Sequence, residues 1–230
     1  MNKRLFSVFL TAILILPVQA STIRVIPINS VISTDQLSFK SSYPKIKGIV
    51  DEKEQVKLNV SFKEMEQKAK RTAELAAREL GSDAITRHIK VEGVFGFEVK
   101  RECSGIMSIL FTDYLYSGGA HGRTIKTGRT FNSISGKEYS LKSLFRTNTD
   151  YVTTISNEIK RQIKERKIAD QQLVKFEKIS KNEDFYLTGD SLVIFFSEYE
   201  YFPYYFGIQE FPIPLKSLEG ILNPEVKQCT

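Results

Sequence analysis

The sequence predicts an α+β protein in which one or more antiparallel sheets carry two main helices packed against them. Three observations support this. Residues 51–80 and about 149–167 repeat apolar side chains at helical spacing. Segments on either side alternate apolar and polar residues, the period of half-buried strands. Turn residues separate those segments, with no fixed-period repeat or low-complexity linker between them. Strand, helix, strands, helix, strands is the order of an α+β layer arrangement.

The N-terminus reads as a secretory signal over residues 1–20. Lys3 and Arg4 precede an apolar run, Leu5 to Leu16, interrupted only by Ser7 and Thr11; Pro17 then breaks the run and Val18-Gln19-Ala20 supplies a cleavage site. The run falls short of the roughly 20 residues that span a bilayer, so cleavage is expected, a retained anchor being the alternative. No cysteine for a lipid anchor lies near the cleavage point, and no later segment is apolar enough to span a membrane. The expected location is outside the cytoplasm: periplasm, cell surface or medium.

From Ser21 to about residue 34 the chain is β-branched and proline-punctuated, an extended arm or edge strand. Gln36 to Ser42 alternates and leads into Tyr43-Pro44, where the proline holds Tyr43 extended. Asp51 is the expected N-cap of the longest helix, with Glu52 and Glu54 in its first turn and Gly81 at its stop. Its stripe reads Val56, Val60 and, after a phase shift, Phe62, Met65, Ala69, Ala73, Ala76 and Leu80. Ile89 to Cys103 and Ile106 to Tyr116 are strands joined by a turn at Glu102 to Gly105. A third strand runs from Arg123 to Ile134 and turns at Ser133 to Lys137; Leu141, Leu144 and Phe145 form a short apolar element. The second helix presents Val152, Ile155, Ile159, Ile163 and Arg166, and a weaker helix is expected over Asp170 to Lys178. Phe185 to Leu187, Leu192 to Tyr201 and Gln209 to Leu215 are the last strands, and Ser217 caps a final helical turn. The module divides into halves at residues 35–105 and 106–222, with a tail at 223–230.

Composition narrows the function. The formal charge is +6, of which Lys3 and Arg4 carry two, and the lysines are interleaved with acids. That pattern reads as a solvated mixed surface. Without a basic stripe carrying interleaved aromatics, nucleic acid is not an expected partner. Cys103 and Cys229 are the only cysteines. In an exported chain they permit a disulfide that would pin the tail to the sheet, with two free thiols as the alternative. No ligand-spaced Cys/His set indicates a metal, and no cofactor motif is present.

Two stretches carry chemistry. In YLYSGGAHG, Tyr114 to Gly122, glycines 118, 119 and 122 break the strand pattern around His121. Ser117 and His121 stand four apart, a nucleophile and base by residue type. However, the stretch is not G-x-S-x-G and no acid orients the histidine, so His121 reads better as a local brace and Ser117 as a turn cap. His88 reads as a surface residue. In EYEYFPYYFG, Glu198 to Gly207, a continuing strand would put Glu198 and Glu200 on one face roughly 7 Å apart, a spacing compatible with an inverting glycosidase. The aromatics are more informative, because more of them crowd around Pro203 than one strand face can bury. Tyrosine on a proline-stiffened loop gives large contact area at low entropy cost. The candidate binding residues are Ser117, Gly118, Gly119, His121, Pro203, Tyr204, Tyr205 and Phe206.

YSGGAHG (116–122), SGKEYSLKSLF (135–145) and FYLTGDSLVIFFSEYEYFPYYFGIQEFPIPLKSL (185–218), with YPKIKG (43–48) ahead of them, resemble the extracellular region of the RsiV family of anti-sigma factors. The same module precedes the catalytic domain of PdaC-type peptidoglycan deacetylases. The resemblance covers about Phe39 to Leu222 and implies a non-catalytic extracellular module. In the RsiV family this region binds lysozyme, through loops similar to those carrying Ser117 and Pro203-Tyr204-Tyr205 here. No sigma-binding region or deacetylase motif accompanies the module, so neither activity is carried over. The expected function is an exported, non-catalytic envelope module with a lysozyme-like protein or a cell-wall glycan as partner. A glycan or ester hydrolase using Glu198 and Glu200, or Ser117 and His121, is the alternative.

Overall fold

The computed structural model describes residues 23–80 and 89–229. The signal segment, Gly81 and His88 lie outside the described residues. Five strands form the first sheet in chain order: β1 (Arg24–Ser33), β2 (Leu37–Lys47), β3 (Val91–Cys103), β4 (Ile106–Tyr116) and β5 (Arg123–Asn132). The expected arm is thus an edge strand. β2 and β3 run parallel over Leu37↔Val91 to Ser41↔Phe95, and the other pairs are antiparallel. The expected α+β arrangement is present, and the first sheet carries one parallel pair among its antiparallel ones. The reason is the helix α1 (Glu52–Glu79), which carries the chain from the end of β2 back to the start of β3. Between β3 and β4, Ser104 and Gly105 both take positive φ, 52° and 73°, the conformation of a tight hairpin whose twist matches its strands.

Asp51 caps α1 as expected, its carboxylate accepting from the Lys53 and Glu54 amides at 2.9 and 3.2 Å. The buried stripe differs from the sequence reading: it is Leu58, Phe62, Glu66, Ala69, Ala73 and Ala77, with no phase shift. Val56 and Val60 face outward, 59% and 48% exposed. The stripe includes an acid, Glu66, which an apolar pattern does not mark. Its carboxylate is buried and accepts from the Ser41 hydroxyl at 2.8 Å. The alanines let α1 lie close to β2 and β3; a Cβ on Gly93 would stand 3.3 Å from that of Ala73. Phe39, Phe95, Met107, Ile109, Phe111 and Phe131 complete this core.

The second sheet, β6 (Phe185–Leu187), β7 (Ser191–Phe196) and β8 (Gln209–Pro214), is antiparallel in that order. Helix α2 (Tyr151–Glu165), capped by Asp150, sends Ile155, Ile159 and Ile163 into a core with Leu192, Ile194, Phe196 and Phe211. The weaker helix expected over 170–178 is absent. A single 3-10 turn, Ala169–Gln171, is followed by irregular chain. There the Phe176 amide bonds the Gln172 side chain and the Ile179 amide bonds the Ser156 hydroxyl, so these donors do not enter a helical ladder. A short α3 (Leu215–Leu218) follows Pro214. Ser217 lies inside it, donating to the Pro214 carbonyl at 2.7 Å, and is not its cap.

The second sheet packs on the face of the first opposite α1, where Leu110 meets Tyr186, Val193 and Phe195. The Ser108 hydroxyl joins the sheets, bonding Thr130 Oγ1 at 2.7 Å and accepting from the Leu187 amide at 3.0 Å. β5 approaches closest at Gly128, where an added Cβ would overlap the carbonyl of Phe185. A register shift between Val99 and Arg101 turns Arg101 toward the second sheet. This guanidinium is buried and donates to the carbonyls of Thr188 and Lys227. Cys103 and Cys229, with Cα atoms 5.7 Å apart, are joined beside it, and the Cys229 amide bonds the Gly189 carbonyl. The tail thus fastens both sheets together.

Candidate functional site

The connection from β4 to β5 and the chain between β7 and β8 meet at one end of the molecule. In the first, Gly118 has φ +91°, and a side chain there would meet Ile89 and Leu80. Gly122 is fixed differently: the Tyr114 ring occupies the space of its absent side chain. Gly119 has neither requirement. In the second, β7 stops at Phe196, short of the expected Tyr201. The Glu200 carboxylate accepts from the Ser197 amide at 2.9 Å, and Tyr199 takes φ +65°, so the chain turns rather than extends. A 3-10 turn, Tyr204–Phe206, and Gly207 then lead into β8.

His121 welds the two connections. Its ring stacks on Tyr204 with centroids 3.7 Å apart and planes at 16°. Nδ1 lies 3.0 Å from the Gly122 carbonyl, and Nε2 lies 3.0 Å from the Tyr199 hydroxyl. A carbonyl can only accept, so Nδ1 carries the proton and Nε2 accepts from Tyr199. Below this, the Glu198 carboxylate accepts from the Thr124 amide at 3.2 Å and Lys126 pairs with Glu210 at 2.7 Å.

Six aromatics around Pro203 divide between core and surface. Phe202 is buried, Tyr201 packs edge-on to Phe176 and Phe196, and Phe206 lies against Phe202. Tyr204 is half-buried under His121, while Tyr199 and Tyr205 are 53% and 73% exposed. Ser117, Gly119 and His121 are exposed, and Gly118, Pro203 and Phe206 are half-buried. Sequence reasoning missed that this surface continues into the preceding segment. Tyr205 donates to the Gln171 side chain at 3.1 Å, and the Leu173 amide bonds the Tyr201 carbonyl, with Leu173 and Val174 exposed. Two adjacent apolar residues in a polar stretch were the signal, absorbed by the helix expectation.

Neither hydrolytic arrangement forms. Both nitrogens of His121 are committed away from Ser117. Glu198 and Glu200 sit in a turn instead of on one strand face, each holding a backbone amide. Burial raises the Glu200 pKa above its ordinary value, its amide bond lowers it, and Glu183 and Asp184 raise it further. A raised folded-state pKa means the charged form opposes folding, so this contribution to stability falls as pH rises through the window above 4.5. Glu200→Gln is therefore expected to stabilise the protein at neutral pH and to lose that advantage in acid; urea titrations across pH check it. Among the described residues no group of three or more His, Cys, Asp or Glu is placed to hold a metal ion.

Comparison with known proteins matches the two parts of the chain to two family models. A family model described as deacetylase PdaC matches residues 31–124, ending just past the GGAHG turn. One described as a protein of unknown function (DUF3298) matches residues 142–216, including the tyrosine-rich loop. Peptidoglycan-N-acetylmuramic acid deacetylase PdaC of Bacillus subtilis (strain 168) is 25% identical over 176 residues, 74% of this chain and 37% of that protein. Anti-sigma-V factor RsiV of the same organism is 37% identical over 96 residues, 37% of this chain and 33% of that protein. The chain is thus similar to the module that PdaC and RsiV share. This PdaC/RsiV-type module is envelope-associated, and it matches only about a third of the length of each of these curated relatives. Two solved DUF3298-family structures share its fold at 17% identity. The one from Bacteroides fragilis NCTC 9343 has a TM-score of 0.66 and covers 89% of this chain and 94% of its own. The one from Pseudomonas aeruginosa PAO1 has a TM-score of 0.62 and covers 91% and 97%. No described helix is long and apolar enough to cross a membrane.

Proposed function

We propose that this PdaC/RsiV-type module is an exported, non-catalytic binding protein of the cell envelope that recognises a lysozyme-like protein through its paired loops. The observation that carries the reading is the His121–Tyr204 stack with the Tyr199 hydrogen bond. It fixes two connections from different sheets into one rigid edge, with Tyr205 and Ser117 exposed on it. A preorganised edge loses less entropy on binding than two free loops. The resemblance to RsiV-type extracellular regions supplies the class of partner, and the commitment of His121, Glu198 and Glu200 to structural bonds favours binding over hydrolysis.

Calorimetry of the chain against lysozyme and against muropeptides is the test. Heat with lysozyme supports the reading; heat only with muropeptides replaces the protein partner by a glycan, and none with either removes both. Tyr205→Ala is expected to weaken binding by tenfold or more, as exposed tyrosine anchors do, with stability changed by less than about 0.5 kcal/mol. Tyr204→Ala is expected to weaken binding too, and to cost about 1 kcal/mol through its lost stack. Turnover of peptidoglycan abolished by His121→Ala would instead establish the hydrolase.

A further inference from the structure

We propose that the groove between β2 and the first half of α1 is a docking surface for a bilayer carrying anionic phospholipid headgroups. The groove holds about 630 Å³ and runs along residues 43–48 of β2 and its exit and 55–63 of α1. Lys45, Lys47 and Lys63 line it, with no carboxylate among the lining residues. The ion pairs among the described residues use other bases, so these three ammonium groups are not neutralised. Arg24 stands directly opposite Lys47 in the β1–β2 register, and both are exposed. Like charges facing each other across two strands oppose pairing, and an anion seated over them removes that repulsion.

The apolar part of the surface is Val56 and Val60, one turn apart on the outward face of α1. They are the residues whose helical spacing imitates a core stripe. A bilayer interface suits a face with cationic tips around valine methyls. An added β-strand does not suit it. Pairing with β3 ends at Ser41, and beyond it the Asn59 carboxamide accepts from the Ile46 amide at 2.7 Å and donates to its carbonyl at 2.9 Å. Pro44 contributes no donor, so this edge gives another strand little to pair with.

Position points to the same occupant. The described chain enters the fold at this corner, where Ile23 leads directly into Arg24, the partner of Lys47. The GGAHG turn instead packs against Leu80 at the other end of α1. At 1.5 Å per residue the two surfaces are roughly 30 Å apart along the helix, so a membrane at the groove leaves the paired loops free. This inference does not depend on what the loops bind.

Flotation of the purified chain with vesicles of phosphatidylcholine alone, and of equal parts phosphatidylcholine and phosphatidylglycerol, tests it. The chain is expected to prefer the anionic vesicles, less so at high salt. Each surface cation contributes about fivefold to partitioning. The variant Lys45→Gln, Lys47→Gln, Lys63→Gln is therefore expected to lose about a hundredfold, and Val56→Ser with Val60→Ser to weaken binding further. Lys164→Gln, Lys178→Gln, Lys216→Gln removes the same charge from exposed sites elsewhere and is expected to change partitioning little. Equal loss in the two triple variants, or equal binding to both vesicles, overturns the proposal. So does binding of a soluble anionic wall polymer, lost in the groove variant, while vesicles go unbound. All these positions are exposed, and matching urea midpoints establish that the variants fold.

Discussion

Gly128→Ala is expected to destabilise the protein by about 3 kcal/mol or more, among the largest effects of any single methyl group in this chain. Gly128 lies on β5 where the first sheet meets β6. An alanine Cβ there would overlap the Phe185 carbonyl oxygen and stand 2.7 Å from its carbon. Both atoms belong to backbone, so no rotamer change relieves the clash and the sheets must part. Separation also strains the bond from the Leu187 amide to Ser108 and the contact of Leu110 with Tyr186. Urea denaturation should show a lower midpoint at unchanged slope. Gly96→Ala is the control, because a Cβ at Gly96 meets nothing within 4 Å; it should be neutral or slightly stabilising. A Gly128→Ala midpoint equal to that of Gly96→Ala would show that the sheets are not packed at this distance.

Loss of the Cys103–Cys229 bond is the second large effect. The bridge spans 126 residues, and closing a loop of that size restrains the unfolded chain by about 5 kcal/mol in the entropy model. In the folded state it also holds the tail where Arg101 needs it. Arg101 is 2% exposed, its Nε has no hydrogen-bond partner among the described residues, and burial lowers its pKa. The Thr188 and Lys227 carbonyls are what compensate this buried cation, and one of them belongs to the tail. Paired Cys103→Ser and Cys229→Ser substitutions are expected to cost a large part of the 5 kcal/mol. Arg101→Met in the bridged protein should cost more than the same change without the bridge, where the tail carbonyl no longer compensates the cation. Non-reducing intact mass checks the premise: a mass unchanged by reduction means the bond does not form.

Local chemistry made part of this structure readable beforehand. Asp51 before a long apolar stripe marked the start of α1, and two alternating segments around Glu102–Gly105 marked the β3–β4 hairpin. What could not be read depended on partners distant in sequence. Glu66 is inside only because Ser41 reaches it, and without that knowledge the stripe drifts onto Val56 and Val60. β7 ends at Phe196 because a carboxylate two residues past Glu198 closes the turn, a bond that alternation cannot register. The parallel pairing of β2 and β3 follows from where α1 returns the chain, and strand patterns do not carry direction. At the site, the residue types in both loops were visible. Their juxtaposition through His121 required the packing of one sheet on the other.

The link between Cys103 and Cys229 also bears on how the protein survives proteolysis. Most of the exposed irregular chain, including the Ser117–His121 turn, residues 172–184 and the tyrosine-rich loop, lies between the two cysteines. A single cut anywhere in that interval leaves two fragments still joined by the sulfur bond. The two fragments carry both sheets and stay covalently linked, so a nicked molecule can stay folded and keep its surfaces in place. Cuts before residue 103 have no such tether.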